Sequence, residues 1–162
     1  MKDFSDRIAV VTGAGTGMGR ELARALAAEG CHVALCDVLM DNLAETARSA
    51  SAGAPSGTRV TIHECDVAEE AQMLAFRDAV AREHDSEAIH LLFNNAGIGA
   101  SRPTHETEDE QLDRFLDVNL RSGFRIAREV LRMWLAREHR GTIVHLASIF
   151  GLFFQAKQPC QY

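Results

Sequence analysis

The chain has 162 residues, 46% hydrophobic and 25% charged, which is enough for one globular domain with its own core. Its net charge of -6 argues against nucleic acid as a partner, which needs clustered positive charge. No apolar run approaches the roughly 20 residues that cross a bilayer, and the polar start Met1-Lys2-Asp3-Phe4-Ser5-Asp6 does not read as a secretion signal, so a cytoplasmic protein without membrane contact is expected.

Residues 8–11 are Ile-Ala-Val-Val and read as a buried strand. The strand runs into Thr12-Gly13-Ala14-Gly15-Thr16-Gly17-Met18-Gly19 and then a helix-like stretch over 18–29, with Gly30 as its stop. A strand that turns sharply into a helix offers free backbone N–H groups at the positive end of the helix dipole, which is a phosphate site. Glycines let the chain turn tightly and a diphosphate approach closely. Gly13, Thr16, Gly17, Met18 and Gly19 are therefore candidate cofactor-binding residues. A second strand over 32–36 ends at Asp37, eighteen residues after Gly19. An acid at about that distance holds a ribose hydroxyl in dinucleotide folds; taken alone it could equally cap the next helix.

A helix is predicted over 40–49, a loop over 51–57, a third strand over 59–65 and a third helix over 69–83, with Met73, Phe76 and Val80 on one face. A fourth strand over 89–93 leads into Asn94-Asn95-Ala96-Gly97. Thr107-Glu108-Asp109-Glu110 matches a capping box. It opens one long helix ended by Gly141, whose stripe of Leu112, Phe115, Leu116, Leu120, Phe124, Ala127, Leu131 and Trp134 is expected to be core. A fifth strand follows over 142–147, and residues 148–162 read as loop.

Cys31 and Cys36 bracket one strand and differ by an odd number, so they should face opposite sides. The four cysteines include no CxxC pair and are expected as free thiols. The seven histidines show no metal-ligand spacing, and no metal is expected. Strands alternating with amphipathic helices imply an α/β architecture: a doubly wound, Rossmann-like parallel sheet with helices on both faces. No repeat or linker is evident, so residues 1–162 are expected to form a single dinucleotide-binding domain.

In this order the motifs resemble those of the short-chain dehydrogenase/reductases, in the classical-type branch. The glycine pattern is Thr12-Gly13-x-x-x-Gly17-x-Gly19. Asp66-Val67 follows the third strand, Asn94-Asn95-Ala96-Gly97 the fourth, Asn119 lies within Val118-Asn119-Leu120, and Ser148 follows the fifth strand in Ala147-Ser148-Ile149. Tyr162 stands where that family keeps its catalytic tyrosine. The family's Tyr-x-x-x-Lys is cut at Tyr162, and His145 stands where the family often has Asn. The chain thus reads as the N-terminal part of a longer enzyme, with the C-terminal strands and helices of the fold missing.

The resemblance implies an NAD(H)-dependent oxidoreductase that moves a hydride between nicotinamide and a small alcohol or carbonyl substrate. Tyr162 would be the general acid/base, Ser148 would hydrogen-bond the substrate oxygen, and Asn119 would support a proton relay. Asp66 and Val67 would border the adenine. Asn94, Ala96 and Gly97 would line the cofactor on its ribose and nicotinamide side. Asp37 favours NAD over NADP, because a 2′-phosphate would meet a like charge. A full-length homo-oligomer is implied. Asp66 taken alone is also a helix cap, Asn119 a structural amide and Ser148 a loop serine. Leu152, Phe153 and Phe154 are either a pocket wall or buried packing. The alternative is a nucleotide-binding fragment without turnover. The substrate itself is not legible.

Overall fold

The computed structural model describes residues 4–86, 88–99 and 103–148. Tyr162, Cys160, Leu152, Phe153 and Phe154 lie outside the described residues.

Five parallel strands form one sheet: β1 (Ile8–Thr12), β2 (His32–Asp37), β3 (Val60–Glu64), β4 (Leu91–Asn94) and β5 (Thr142–His145), in the order β3-β2-β1-β4-β5. The helices between them are α1 (Gly17–Ala28), α2 (Met40–Ala52), α3 (Glu70–Glu83), α4 (Asp109–Leu116) and α5 (Ser122–Ala136). Both faces of the sheet are covered, so its central strands are apolar at consecutive positions rather than alternate ones. Period-two alternation then splits them into two cores. Ile8 and Val10 pack with Met73, Phe76 and Val80 of α3 and with Ile126, Val130 and Trp134 of α5. Ala9 and Val11 pack with Ala23, Leu26 and Ala27 of α1 and with Leu43 of α2. Each fully buried Val or Leu contributes about 1.5–3 kcal/mol relative to exposure. Cys31 falls in the α1/α2 core and Cys36 in the other, as the spacing predicts. Cys31, Cys36 and Cys65 are free and buried, and burial pushes the Cys31 thiol up to about 11.

From β1 the chain winds outward through β2 and β3, then crosses back to place β4 on β1's other side. The two halves diverge at the carboxyl ends of β1 and β4. In open α/β sheets this switch point is where a ligand crevice forms.

The segment after β4 departs from the sequence reading. No capping box forms: α4 starts at Asp109, its N-cap is Glu108 without a side-chain cap bond, and the Thr107 hydroxyl donates instead to the Pro103 carbonyl at 3.1 Å. That loop bond consumes the hydroxyl, and Asp109 and Glu110 meet the helix dipole in its place. Nor is the helix uniform. Asp117–Arg121 forms a π-helical turn, with the Ser122 N–H donating to the Asp117 carbonyl. A π turn inserts one residue, which rotates everything after it by about 100°. The stripe therefore divides. Of its members Phe115, Ala127 and Trp134 are buried, while Val118, Ile126 and Val130 from outside it join the core; Leu120, Phe124 and Leu131 face outward, Leu120 and Phe124 being 65% and 67% exposed, and Leu112, ahead of the turn, is exposed too. Trp134 is anchored there, its indole N–H donating to the Ile89 carbonyl at 2.6 Å.

The helix stops at Ala136 rather than at Gly141. Glu138 adopts a left-handed φ of 51° and the His139 N–H returns to the Trp134 carbonyl at 2.9 Å, closing the helix end early. Gly141 serves close packing instead, since a Cβ there would meet the His90 carbonyl oxygen at 2.5 Å. Smaller differences lie at element ends. α2 runs on through Ala52 into the expected loop, and β5 ends at His145.

Candidate functional site

The glycine turn leaves β1 at Thr12 and enters α1 at Gly17. Thr16 makes no side-chain cap bond, and the first intrahelical bond runs from the Arg20 N–H to the Thr16 carbonyl at 3.2 Å. The amides of Gly17, Met18 and Gly19 thus point out of the helix end without intrahelical partners. Gly17 has a φ of +54° and nothing within 4 Å of where a Cβ would stand, so the space before the helix is open. Gly19 is the opposite case. A Cβ there would run into the Gly13 carbonyl and come within 2.6 Å of Asn95 Nδ2.

Three side chains hold the turn in shape. Arg20 donates from Nη2 to the Gly15 carbonyl at 2.6 Å and from Nε to Thr46 Oγ1 at 3.0 Å. Asn95 donates from Nδ2 to the carbonyls of Thr12 and Gly13 at 2.9 and 3.0 Å. The Thr12 hydroxyl accepts the N–H groups of Asn95 and Ala96 at 3.1 and 3.0 Å. These bonds tie the end of β1 to the end of β4 across the switch point. Thr12 and Asn95 stand in the motifs read from sequence, but none of the three was given a role there. The bonds join residues up to 84 positions apart, and Arg20 reads as an ordinary first-turn helix residue.

Asp37 closes β2 beside this turn. Its Oδ2 accepts the Gly15 N–H at 2.9 Å and its Oδ1 the Leu39 N–H at 3.2 Å. Each carboxylate oxygen has two acceptor sites, so capacity remains on both for outside donors. Asp37 does not cap α2, whose N-cap is Leu39 without a side-chain cap bond; its bonds set a local turn and place the carboxylate beside the glycine turn.

Across the crevice, Gly13, Asp37, Asp66, Val67, Ala96 and Gly97 share one lining, together with Val38, Ile98, Arg114 and Val118. Asp66 Oδ1 accepts the Ala68 N–H at 3.0 Å in the turn before α3; it does not cap that helix, whose N-cap is Glu69 without a side-chain cap bond. Its Oδ2 pairs with Arg114 Nη2 at 2.7 Å. Asn94 sits apart from that lining. Its Nδ2 donates to the Gly123 carbonyl at 3.2 Å and approaches His145 Nδ1 at 3.1 Å, which clamps β4, β5 and α5 behind the crevice.

Asn119 lies in the π turn. Its Oδ1 accepts the Ile98 N–H at 2.8 Å and its Nδ2 donates to the Ile98 carbonyl at 2.9 Å. The amide is thus committed to the loop after β4, and it fixes that loop against the helix. Ser148 is half-buried three residues beyond β5. Among the described residues no group of three metal-ligating side chains converges, and no helix is long and apolar enough to cross a membrane.

Comparison with known proteins agrees with this geometry. The family model described as short chain dehydrogenase matches residues 7–162. Levodione reductase of Leifsonia aquatica is 34% identical over 150 residues, covering 92% of this chain and 55% of that protein. A short-chain dehydrogenase/reductase from Burkholderia phymatum, solved in complex with NAD, superposes with a TM-score of 0.88 at 32% identity, covering 98% of this chain and 54% of the other. A metagenomic short-chain oxidoreductase in complex with NADP gives a TM-score of 0.86 at 29% identity, covering 97% of this chain and 69% of the other. The chain spans about half the length of the curated relatives it matches. With the switch-point crevice, the glycine turn and the ordered motifs in place, the chain belongs to the short-chain dehydrogenase/reductase family.

Proposed function

We propose that this chain binds NAD(H) in the switch-point crevice and that the protein is an oxidoreductase acting on a small alcohol or carbonyl compound. The observation that carries the reading is Asp37. Its carboxylate is held against the glycine turn by the Gly15 amide and keeps free acceptor sites toward the crevice. That is what two ribose hydroxyl donors need, and it is the wrong charge for a 2′-phosphate. The open space at Gly17 and the unpartnered amides of Gly17, Met18 and Gly19 fit a diphosphate. Asp66 and Val67 border the base, and Gly13, Ala96 and Gly97 lie along the path towards the carboxyl end of β4.

When bound, the nicotinamide supplies or accepts the hydride. The chain's own residues handle the oxygen and its proton. Ser148 hydrogen-bonds the substrate oxygen and stabilises charge that develops there. Tyr162 exchanges the proton with that oxygen. An unperturbed tyrosine, with a pKa of ~10, needs a nearby positive charge to do so near neutral pH. Asn119 acts as a positioning residue through its two bonds to Ile98. The relative named for levodione reduction supports a ketone or secondary alcohol as substrate class. The outward face of Leu120, Phe124 and Leu131 is the surface on which we place a homo-oligomer contact, in a protein that works in the cytoplasm.

Titration with NAD and NADP, read by calorimetry, tests the cofactor assignment. NAD should bind at least about tenfold tighter, and tighter binding of NADP overturns the role given to Asp37. Absorbance of the reduced nicotinamide, followed with a panel of secondary alcohols and ketones, tests the reaction. Binding without turnover would favour a nucleotide-binding role for this stretch alone.

A further inference from the structure

Among the described residues, Arg114 is the guanidinium that lines the crevice beside Asp66. It arises from α4, and its ion pair with Asp66 Oδ2 at 2.7 Å spans 48 positions of sequence. Asp66 is meanwhile anchored on its other oxygen by the Ala68 N–H, and its own N–H donates to Gln72 Oε1 at 2.9 Å. The carboxylate is therefore held in one orientation from both ends. Five residues beyond Arg114, on the same helical segment, Asn119 grips Ile98. The segment thus fixes both walls of the crevice: the Asp66 side through Arg114 and the Ile98 side through Asn119.

We propose that Arg114 is a specificity-determining positioning residue, which holds the Asp66 carboxylate so that the crevice selects a 6-aminopurine nucleotide over a 6-oxopurine one. The inference rests on the nucleotide reading of the site given above. An amino group at C6 donates and a carbonyl at C6 only accepts. A carboxylate fixed opposite C6 accepts from the first and repels the second, whereas one free to shift along the edge can accept instead from the N1–H that a 6-oxopurine carries. Its discrimination depends on being held still, because a loose carboxylate swings into solvent and meets either base through water. Arg suits the task better than Lys, since its planar fork fixes a carboxylate's orientation whereas an ammonium supplies only a point charge. The pair is partly exposed, so its contribution lies in orientation more than in stability.

The test is the ratio of dissociation constants for NAD and its deaminated analogue, nicotinamide hypoxanthine dinucleotide. It is measured by calorimetry on the unmodified protein and on Arg114→Met, Arg114→Lys and Asp66→Asn, each checked by thermal melting. The unmodified protein should prefer NAD by about tenfold. Arg114→Met should bring the two ligands within about threefold, Arg114→Lys should recover part of the preference, and Asp66→Asn should abolish it. A full preference in Arg114→Met, with NAD still bound, overturns this inference alone. Failure of the folded, unmodified protein to bind either dinucleotide overturns the nucleotide reading, and this inference with it.

Discussion

Two residues at the crevice have opposite requirements. Gly19 leaves no room for a side chain, whereas Gly17 leaves open space but needs a left-handed backbone. Gly19→Ala should therefore destabilise the fold by about 1–3 kcal/mol and weaken NAD binding, both measurable by urea unfolding and titration. A variant that unfolds and binds like the parent would contradict the packing described here. Asp37 behaves differently. Its removal costs the fold two backbone contacts, but its main effect should be on cofactor choice. Asp37→Ala should lose about tenfold in NAD affinity and narrow the gap to NADP. A gap that stays as wide would show that the charge is not what discriminates. The position of Asp37 beside the glycine turn was legible in sequence because its signal is a spacing within one strand-turn-helix-strand unit. Thr12, Asn95 and Arg114 were not, because their roles appear only when distant segments meet.

At the scale of elements, strand and helix order was legible throughout, since burial on both sheet faces writes itself as short apolar runs between amphipathic stretches. The segment from α4 to α5 was not. Residues 109–136 carry apolar residues at helical spacing, and that spacing is blind to a single inserted residue. The π turn at Asp117–Arg121 converts part of the apparent core face into an outward one. Asn119 explains why the turn is kept: its amide needs to reach both backbone groups of Ile98. Asn119→Ala would strand that donor and acceptor and should cost about 1–3 kcal/mol of stability. If the turn also serves the site, the variant should lose NAD affinity beyond what its stability explains. Unaltered stability would contradict the double bond to Ile98.

For the whole molecule, buried histidines contribute to the loss of stability in acid. His84 follows α3, with its Nε2 at 2.9 Å from Thr61 Oγ1. Burial foremost, then the charges of His32, Arg59 and His63, holds its pKa down to about 4, with Asp85 pulling the other way. Burial likewise lowers His63 and His90. A histidine in the unfolded chain titrates near ~6.5, so the unfolded state takes up protons first as pH falls. The stability tied to His84 is complete above about pH 6.5 and is lost as pH falls towards about 4, amounting to at most about 3 kcal/mol. Urea midpoints at pH 7 and 4.5 should differ accordingly, and His84→Gln should flatten the difference. Equal midpoints in the parent would contradict the buried, neutral histidine. The outward apolar face of α4 and α5, with Leu120, Phe124 and Leu131, belongs to the same scale. Phe124→Asp should shift the protein towards monomer in sedimentation velocity, and an unchanged distribution would remove that face from the assembly.

The whole account turns on a dinucleotide lying across the switch point of the sheet. A crystal structure of the protein soaked with NAD measures this directly. The predicted result is a diphosphate against the amides of Gly17, Met18 and Gly19, with the adenosine ribose on Asp37 and the adenine beside Asp66. Density for the dinucleotide elsewhere, or a crevice filled by the protein's own side chains, would contradict it.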